Sequence, residues 1–157
     1  MSARPEANGG KILKELILPD IKDYMIEDNH GKVEASDMME LGKYLRDVVK
    51  LNEYNHNFRI FGPDEALSNR LNHVFEVTDR QWLSTINKDT DEHLNTYGRV
   101  LDSYLSEHFG EGALESYLLT GRHGIFVSYE AFARVIDSMV SQFGKWLKMC
   151  NDLEWNL

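Results

Sequence analysis

The sequence has little of several features that would narrow its class at once. It contains one cysteine, Cys150, and three prolines among 157 residues. A single cysteine excludes an intrachain disulfide, so nothing indicates an oxidising compartment, and we expect a cytoplasmic location. No apolar run approaches the roughly 20 residues that span a bilayer, so no membrane association is expected. The 17 basic residues are outnumbered by 26 acidic ones, for a net charge of −9. Binding to nucleic acid phosphates needs a basic surface, and we expect no nucleic acid partner.

The length fits one domain with a substantial core, because 42% of the residues are hydrophobic. The first ten residues are small, polar and glycine-rich, which is typical of a linker. We therefore predict a linker and an N-terminal arm over residues 1–35. The folded part is predicted to begin near Lys11 with this arm, and the domain itself is predicted over residues 36–157.

Two long segments show helical periodicity. Apolar residues recur on one face from Asp37 to about Leu51, after Ser36 as a capping residue. A longer apolar stripe from Tyr129 to Leu147 predicts the longest helix, capped by Ser128.

The remaining elements are shorter. Strands are predicted at 57–61, 100–105 and 125–127, two short helices between 68 and 83, a surface loop at 87–98, and a helix from about His108 to Leu119 that stops at Gly121. Strands that alternate with helices predict an α/β fold with a mostly parallel sheet flanked by helices.

Glu107 is the candidate acid. It follows an apolar strand and precedes a helix, and ligands bind at that boundary in open α/β sheets. A carboxylate beside Leu105 and a glycine-bearing helix is expected to lose solvent and to hold its proton more tightly. The alternative is an ordinary acid that the helix dipole favours.

Tyr129 and Phe132 lie three residues apart, so both can project from one side of the predicted helix. Stacking on a flat ligand ring is one interpretation, and core packing is the other.

Two turns are candidate anion sites. After the Gly-Pro turn at 62–63 come Ser68, Asn69 and Arg70, whose planar guanidinium matches a phosphate. Pairing of Arg70 with a nearby acid is the alternative. The turn at 121–124, Gly-Arg-His-Gly, offers a cation and backbone amides, although a plain connection to a strand explains it as well. His108 and His123 have no partner at metal-ligand spacing, so no metal site is predicted.

Taken in order, FRIFGPDEALSNRL, LSEH, LESYLLTGRHGIF and SYEAF resemble the phosphoketolases. The resemblance runs from Asn8 to about Trp155 and covers a minor, central part of a family member. It implies a partial thiamine-diphosphate-binding domain of the pyrimidine type, preceded by an interdomain linker. Gly110, Ala113 and Ser116 depart from the family pattern, on the helix after the acid.

The resemblance also assigns roles. Glu107 matches the acid that hydrogen-bonds the aminopyrimidine of thiamine diphosphate, and Phe132 matches the ring that stacks on it. Ser68, Arg70 and Tyr129 match residues near the sugar phosphate or inorganic phosphate, with Asn69 and Glu65 as weaker candidates. A divalent metal would be held by a domain absent from this chain.

The implied reaction cleaves xylulose 5-phosphate or fructose 6-phosphate with phosphate, giving acetyl phosphate and an aldose phosphate. The partners implied are the remaining phosphoketolase domains, and an uncovered apolar face predicts a homo-oligomer. The chain stops before the family's later active-site histidine and asparagine, so we expect no complete active site. A transketolase-type two-carbon transferase segment and a catalytically silent interaction domain are the alternatives.

Overall fold

The computed structural model describes Arg4 and residues 12–27, 30–102 and 104–153. Within these described ranges, three α-helices with given bounds flank a sheet of five short strands. In chain order the elements are α1 (Asp37–Leu51), β1 (Phe58–Phe61), β2 (Arg80–Gln81), β3 (Leu94–Asn95), β4 (Val100–Leu101), α2 (Glu107–Leu118), β5 (His123–Phe126) and α3 (Ala133–Asp152). Short 3₁₀ helices lie at Ile21–Tyr24, Asn72–Glu76 and Glu130–Phe132.

The sheet has the strand order β3-β2-β4-β1-β5, and every pair in it is parallel. In the register, Ile60 of β1 lies between Val100 of β4 and Ile125 of β5. The predicted α/β class with a parallel sheet is confirmed. Because all strands run the same way, the carboxyl ends of β4, β1 and β5 meet at one edge.

Helix α1 has the predicted bounds. Its apolar residues Leu45, Val48 and Val49 are at most 5% exposed, and the helix packs against the Asn72–Glu76 turn and β1. The Ser36 side chain makes no capping hydrogen bond, so only the position of the helix start was predicted correctly.

The main core lies between one face of the sheet, α1 and the segment that follows β1. The buried apolar residues are Leu45, Val48, Val49, Phe58, Ile60, Ala66, Leu71, Val74, Phe75, Val100 and Val127. Burial of these side chains, at about 25 cal/mol per Å² of apolar surface, drives the folding of this half of the molecule.

The segment between β1 and β4 differs from the prediction. One of the two predicted short helices is present as the 3₁₀ helix Asn72–Glu76, whereas the strand β2 stands in place of the second, and the predicted surface loop contains β3. The strand predicted at 100–105 is shorter than expected, since it ends at Leu101. A strand of two residues is too short to show a periodic pattern, so it forms because of its pairing with neighbouring strands and cannot be predicted from the local sequence.

Helix α2 and strand β5 lie close to their predicted positions. Gly121, at φ +85°, ends α2, and its N–H donates to the carbonyl of Leu118 at 2.9 Å. The prediction for Ser128 was wrong, because α3 begins at Ala133 with Phe132 at the N-cap position. The turn Glu130–Phe132 takes up the residues between them.

Helix α3 leaves much of its apolar stripe uncovered. Val140 is 60% exposed, and a cavity of about 340 Å³ opens between α2 and α3. Leu114, Phe126 and Phe143 line it together with the carboxyl of Glu111. This apolar surface has no covering element among the described residues.

The N-terminal arm is held by polar contacts to α1. The Asn52 side chain accepts from the backbone N–H of Ile17 at 3.0 Å and donates to its carbonyl at 2.8 Å. The Tyr24 hydroxyl donates to Asp47 at 2.5 Å. The glycine-rich stretch at the start of the predicted linker lies largely outside the described residues, and the predicted boundary at residue 36 remains a prediction.

Candidate functional site

The candidate residues gather at the carboxyl edge of the sheet. The loop after β1 carries Ser68 and Arg70, and Tyr129 follows β5, the neighbouring strand. A Cβ on Gly62 would lie 2.9 Å from the backbone oxygen of Val127, so the ends of the two strands are in close contact. Parallel pairing thus brings together segments that are distant in sequence.

The loop after β1 is organised around the backbone of Glu65. Its carbonyl accepts from the Asn69 N–H and the Asn69 side-chain amide, both at 2.9 Å, and from the Ser68 hydroxyl at 3.2 Å. Asp64 and Arg70 adopt positive φ angles of +64° and +62°. These bonds close a compact turn that presents the Ser68 side chain toward the end of β5.

Two predicted substrate residues are in direct contact, because the Tyr129 hydroxyl donates to the Ser68 hydroxyl oxygen. Arg70 does not join them. Its side chain is exposed, and no ion pair links it to an acid among the described residues. The pairing of Arg70 with a neighbouring acid is therefore not found, and its guanidinium is open to a ligand.

Glu107 is the first residue of α2. The Ser106 side chain caps the helix by accepting from the Phe109 N–H at 3.2 Å. The expected loss of solvent is incomplete, since Glu107 is only partly buried and Leu105 before it is 84% exposed. The helix N-terminus favours a carboxylate at this position.

Phe132 and Tyr129 form a half-exposed aromatic pair. Their ring centroids are 6.3 Å apart with an interplanar angle of 33°, and the exposed fractions are 39% and 38%. Neither ring is taken up by the core, so the core-packing alternative is not what the structure shows. Part of each ring is therefore accessible to a flat group.

Three buried carboxyl groups surround this edge, and two of them were not predicted. Burial raises the pKa of Glu65, and the charge of Glu107 raises it further, against the opposing effect of the Ser128 hydroxyl and the Tyr129 N–H. Burial also raises the pKa of Glu111, one turn after Glu107. An Oε2 atom of each glutamate lacks a hydrogen-bond partner among the described residues.

Asp102, the third, follows β4 and is 1% exposed. It accepts from Nε of Arg80 at 2.9 Å, while its Oδ2 is unpaired among the described residues. Burial raises its pKa, and the attraction of Arg80 offsets only part of that effect. Asp102 could have been found from the sequence as an acid that directly follows the apolar residues Val100 and Leu101. Glu111 could have been found because it lies four residues after Glu107, on the same face of the helix.

No group of three or more metal-ligating side chains occurs among the residues that the structure describes. None of the described helices has the length and apolar character needed to cross a membrane. The site is thus an edge of carboxylates, hydroxyls and exposed rings.

Comparison with known proteins identifies the family. Residues 39–157 match the family of D-xylulose 5-phosphate/D-fructose 6-phosphate phosphoketolases. The chain belongs to the phosphoketolase family. A probable phosphoketolase of Clostridium acetobutylicum is 60% identical over 99% of this chain, and the resemblance predicted from sequence is confirmed.

Two further relatives agree. A xylulose-5-phosphate phosphoketolase of Lactiplantibacillus pentosus is 53% identical over 99% of the chain, and probable phosphoketolase 2 of Lactiplantibacillus plantarum is 55% identical over 94%. The aligned region covers 20% of the Clostridium acetobutylicum protein, 19% of the Lactiplantibacillus plantarum protein and 20% of the Lactiplantibacillus pentosus protein. The chain therefore spans about a fifth of the length of these phosphoketolases.

Proposed function

We propose that this chain is the pyrimidine-facing segment of a thiamine-diphosphate-dependent phosphoketolase. The whole enzyme would cleave xylulose 5-phosphate or fructose 6-phosphate with inorganic phosphate to acetyl phosphate and an aldose phosphate. The contact between Tyr129 and Ser68, at the same sheet edge as Glu107, is the observation that carries the proposal. It joins the two segments to which the family resemblance assigns substrate contacts.

The residues present fit one half of the cofactor. The carboxylate of Glu107 is partly exposed at a helix start, where it can accept a proton from, or share one with, a ring nitrogen. The exposed ring of Phe132 offers a stacking face. When bound, thiamine diphosphate supplies the carbanion chemistry that breaks a carbon–carbon bond.

The protein's own groups have positioning tasks. Tyr129 and Ser68 provide adjacent hydroxyl groups, and Arg70 adds an exposed guanidinium that suits a phosphate. The remaining domains of the longer protein would hold the diphosphate and its divalent metal, and would cover the apolar surface of α3. We also propose that the full-length enzyme is cytoplasmic and forms a homo-oligomer. Light scattering on the purified enzyme tests the oligomeric state.

The test of the proposal is Glu107→Gln in the full-length enzyme. Because Gln cannot exchange a proton at this position, acetyl phosphate formation should fall by about 100-fold or more. Glu115→Gln, on the same helix, is the matched control and should retain activity. Normal turnover by the Glu107 variant, with thiamine diphosphate bound, would contradict the assigned role.

The isolated chain should neither cleave ketose phosphates nor bind thiamine diphosphate tightly, since the diphosphate contacts are assigned to other domains. Isothermal titration calorimetry of this chain measures the second point directly. Binding at micromolar affinity would refute the division of the site between segments. Acetyl phosphate release that depends on phosphate, as opposed to transfer to an aldose, would distinguish a phosphoketolase from a transketolase-type enzyme.

A further inference from the structure

Three arginine side chains meet at the opposite, amino-terminal edge of the sheet. Arg59 lies in β1, Arg99 immediately precedes β4, and Arg122 immediately precedes β5. These three strands are neighbours and parallel, so their amino ends share one edge. The cluster is therefore separated from the candidate site by the length of the strands.

The three guanidinium groups surround one ring, that of Tyr117 on α2. Nη2 of Arg99 donates to the Tyr117 hydroxyl oxygen at 2.6 Å. The Cζ atoms of Arg59 and Arg122 lie 5.6 Å and 5.4 Å from the ring centroid. All four side chains are partly exposed, so a solute can reach them.

No carboxylate of the described residues neutralises this cluster. Within the described part of the chain, every ion pair involves other cations, and no acid oxygen lies within 4.0 Å of these three arginines. Glu53 and Asp79 line a separate hollow of about 200 Å³ that Arg99 also borders, yet neither makes an ion pair with it.

The arginines bond instead to neutral oxygens. Arg99 donates to the carbonyl of Phe58, Arg59 donates to the Gln81 side chain at 2.6 Å, and Arg122 donates to the Thr120 hydroxyl at 2.9 Å. Nε of Arg59 is buried and unpartnered among the described residues. Donors therefore remain unused in the cluster.

Grouping like charges in this way is unfavourable. Burial lowers the pKa of Arg59, and the charges of Arg99 and Arg122 lower it further. The chain has a net charge of −9, so acids were abundant as possible partners, yet none of the described acids forms an ion pair here. A bound anion would relieve the repulsion, because guanidinium groups match oxyanions in geometry and charge.

We propose that Arg59, Arg99 and Arg122 form a binding site for a small phosphate-class oxyanion at the amino-terminal edge of the sheet. The turn at 121–124, whose composition suggests an anion site, provides one of the three cations. The site does not depend on the proposed enzymatic function, since its residues are separate from Ser68, Arg70 and Glu107.

The test measures the midpoint of thermal unfolding of this chain at pH 8. Inorganic phosphate is compared with chloride at equal ionic strength, because an anion that binds the folded state raises the midpoint by mass action. Wild type should show a phosphate-specific rise. Arg122→Gln should weaken phosphate binding at least tenfold, whereas Arg134→Gln, which removes an exposed charge on α3, should leave it unchanged.

Arg70→Gln separates this site from the candidate active site. The rise should persist in that variant; a rise lost in Arg70→Gln and kept in Arg122→Gln would overturn the proposal, as would no rise in wild type. If Arg122→Gln does not fold, Arg122→Lys takes its place. It keeps the charge but loses the planar fork, and phosphate binding as tight as in wild type would count against the site.

Discussion

The buried pair of Arg80 and Asp102 makes a sharp prediction about stability. The Asp102 side chain is 1% exposed, while that of Arg80 is 14% exposed and lies with its Cζ 4.6 Å from the ring centroid of Phe75. Asp102 therefore depends on Arg80 for its stabilisation more than Arg80 depends on Asp102. The arginine has an aromatic face and some solvent, whereas the aspartate has only the arginine as a charged partner within 4.0 Å among the described residues.

Arg80→Met should consequently destabilise the chain more than Asp102→Asn. The first change leaves a buried carboxylate without a counterion, which costs about 3–5 kcal/mol. The second leaves a polar amide of similar shape that can still accept from Nε, so about 1–2 kcal/mol is expected. The double variant should cost less than the sum of the two, since both single changes disrupt one interaction.

The difference should also depend on pH. Burial raises the pKa of Asp102 in the folded state. The stability that the Asp102 carboxyl group contributes is therefore fully present below its unfolded-state pKa, and it is lost as the pH rises through its folded-state pKa. Removal of Arg80 raises that pKa further. The cost of Arg80→Met should thus be larger at pH 7 than at pH 5.

Urea unfolding followed by far-ultraviolet circular dichroism, at both pH values, measures these free energies. A cost for Asp102→Asn equal to or above that for Arg80→Met at pH 7 would refute the asymmetry. Equal costs for Arg80→Met at pH 7 and pH 5 would refute the assigned role of burial.

Three further predictions concern packing, buried charge and the candidate site. A Cβ on Gly98 would lie 2.2 Å from a backbone oxygen, so Gly98→Ala should lower the free energy of unfolding by about 1–3 kcal/mol in the same urea assay. Gly144 on α3 has open space around it, so Gly144→Ala should raise the free energy of unfolding by about 0.5–1 kcal/mol. Burial raises the pKa of Glu111, so the cost of keeping its carboxylate ionised in the folded state grows as the pH rises toward that pKa. Glu111→Gln removes this cost and should therefore raise the midpoint of thermal unfolding by a few degrees at pH 8 but not at pH 4. In the full-length enzyme, Tyr129→Phe removes the bond to Ser68 and should lower kcat/KM for phosphate by about tenfold, with the fold intact by circular dichroism; an unchanged value would separate this contact from catalysis.

The elements predicted well are those whose local pattern and tertiary environment agree. Helix α1 buries the face that its periodicity indicates, and β1 is an apolar run with two neighbours in the sheet. Strands β2 and β3 were missed because two residues cannot show a pattern. Serine is a favoured capping residue, but the chain after Ser128 forms the 3₁₀ helix Glu130–Phe132 before α3 begins, so the capping preference of Ser128 did not decide where the helix starts.

The candidate site divides along similar lines. The contact between Ser68 and Tyr129 joins residues 61 apart, which no spacing rule predicts; the family motifs placed both near one ligand. The burial of Asp102 and Glu111 follows from packing of the sheet edge and of α2 against α3, so a sequence shows the acids without showing that they lose solvent. The apparent buried acid, Glu107, is the more exposed one.

The charge distribution at the carboxyl edge bears on how the cofactor would be shared. Asp64, Glu65 and Glu107 lie on the segments that follow β1 and β4, whereas Asp102 already has its arginine and Arg70 is the exposed cation of the loop. The proposed function assigns Arg70 to the substrate phosphate, and the carboxylates beside it repel a further diphosphate, whereas one of them can bind a protonated ring nitrogen or share its proton. If the proposed function is correct, the ring of thiamine diphosphate must therefore face this edge and its diphosphate must be directed away from it. The cations that hold the diphosphate then belong to another part of the longer enzyme.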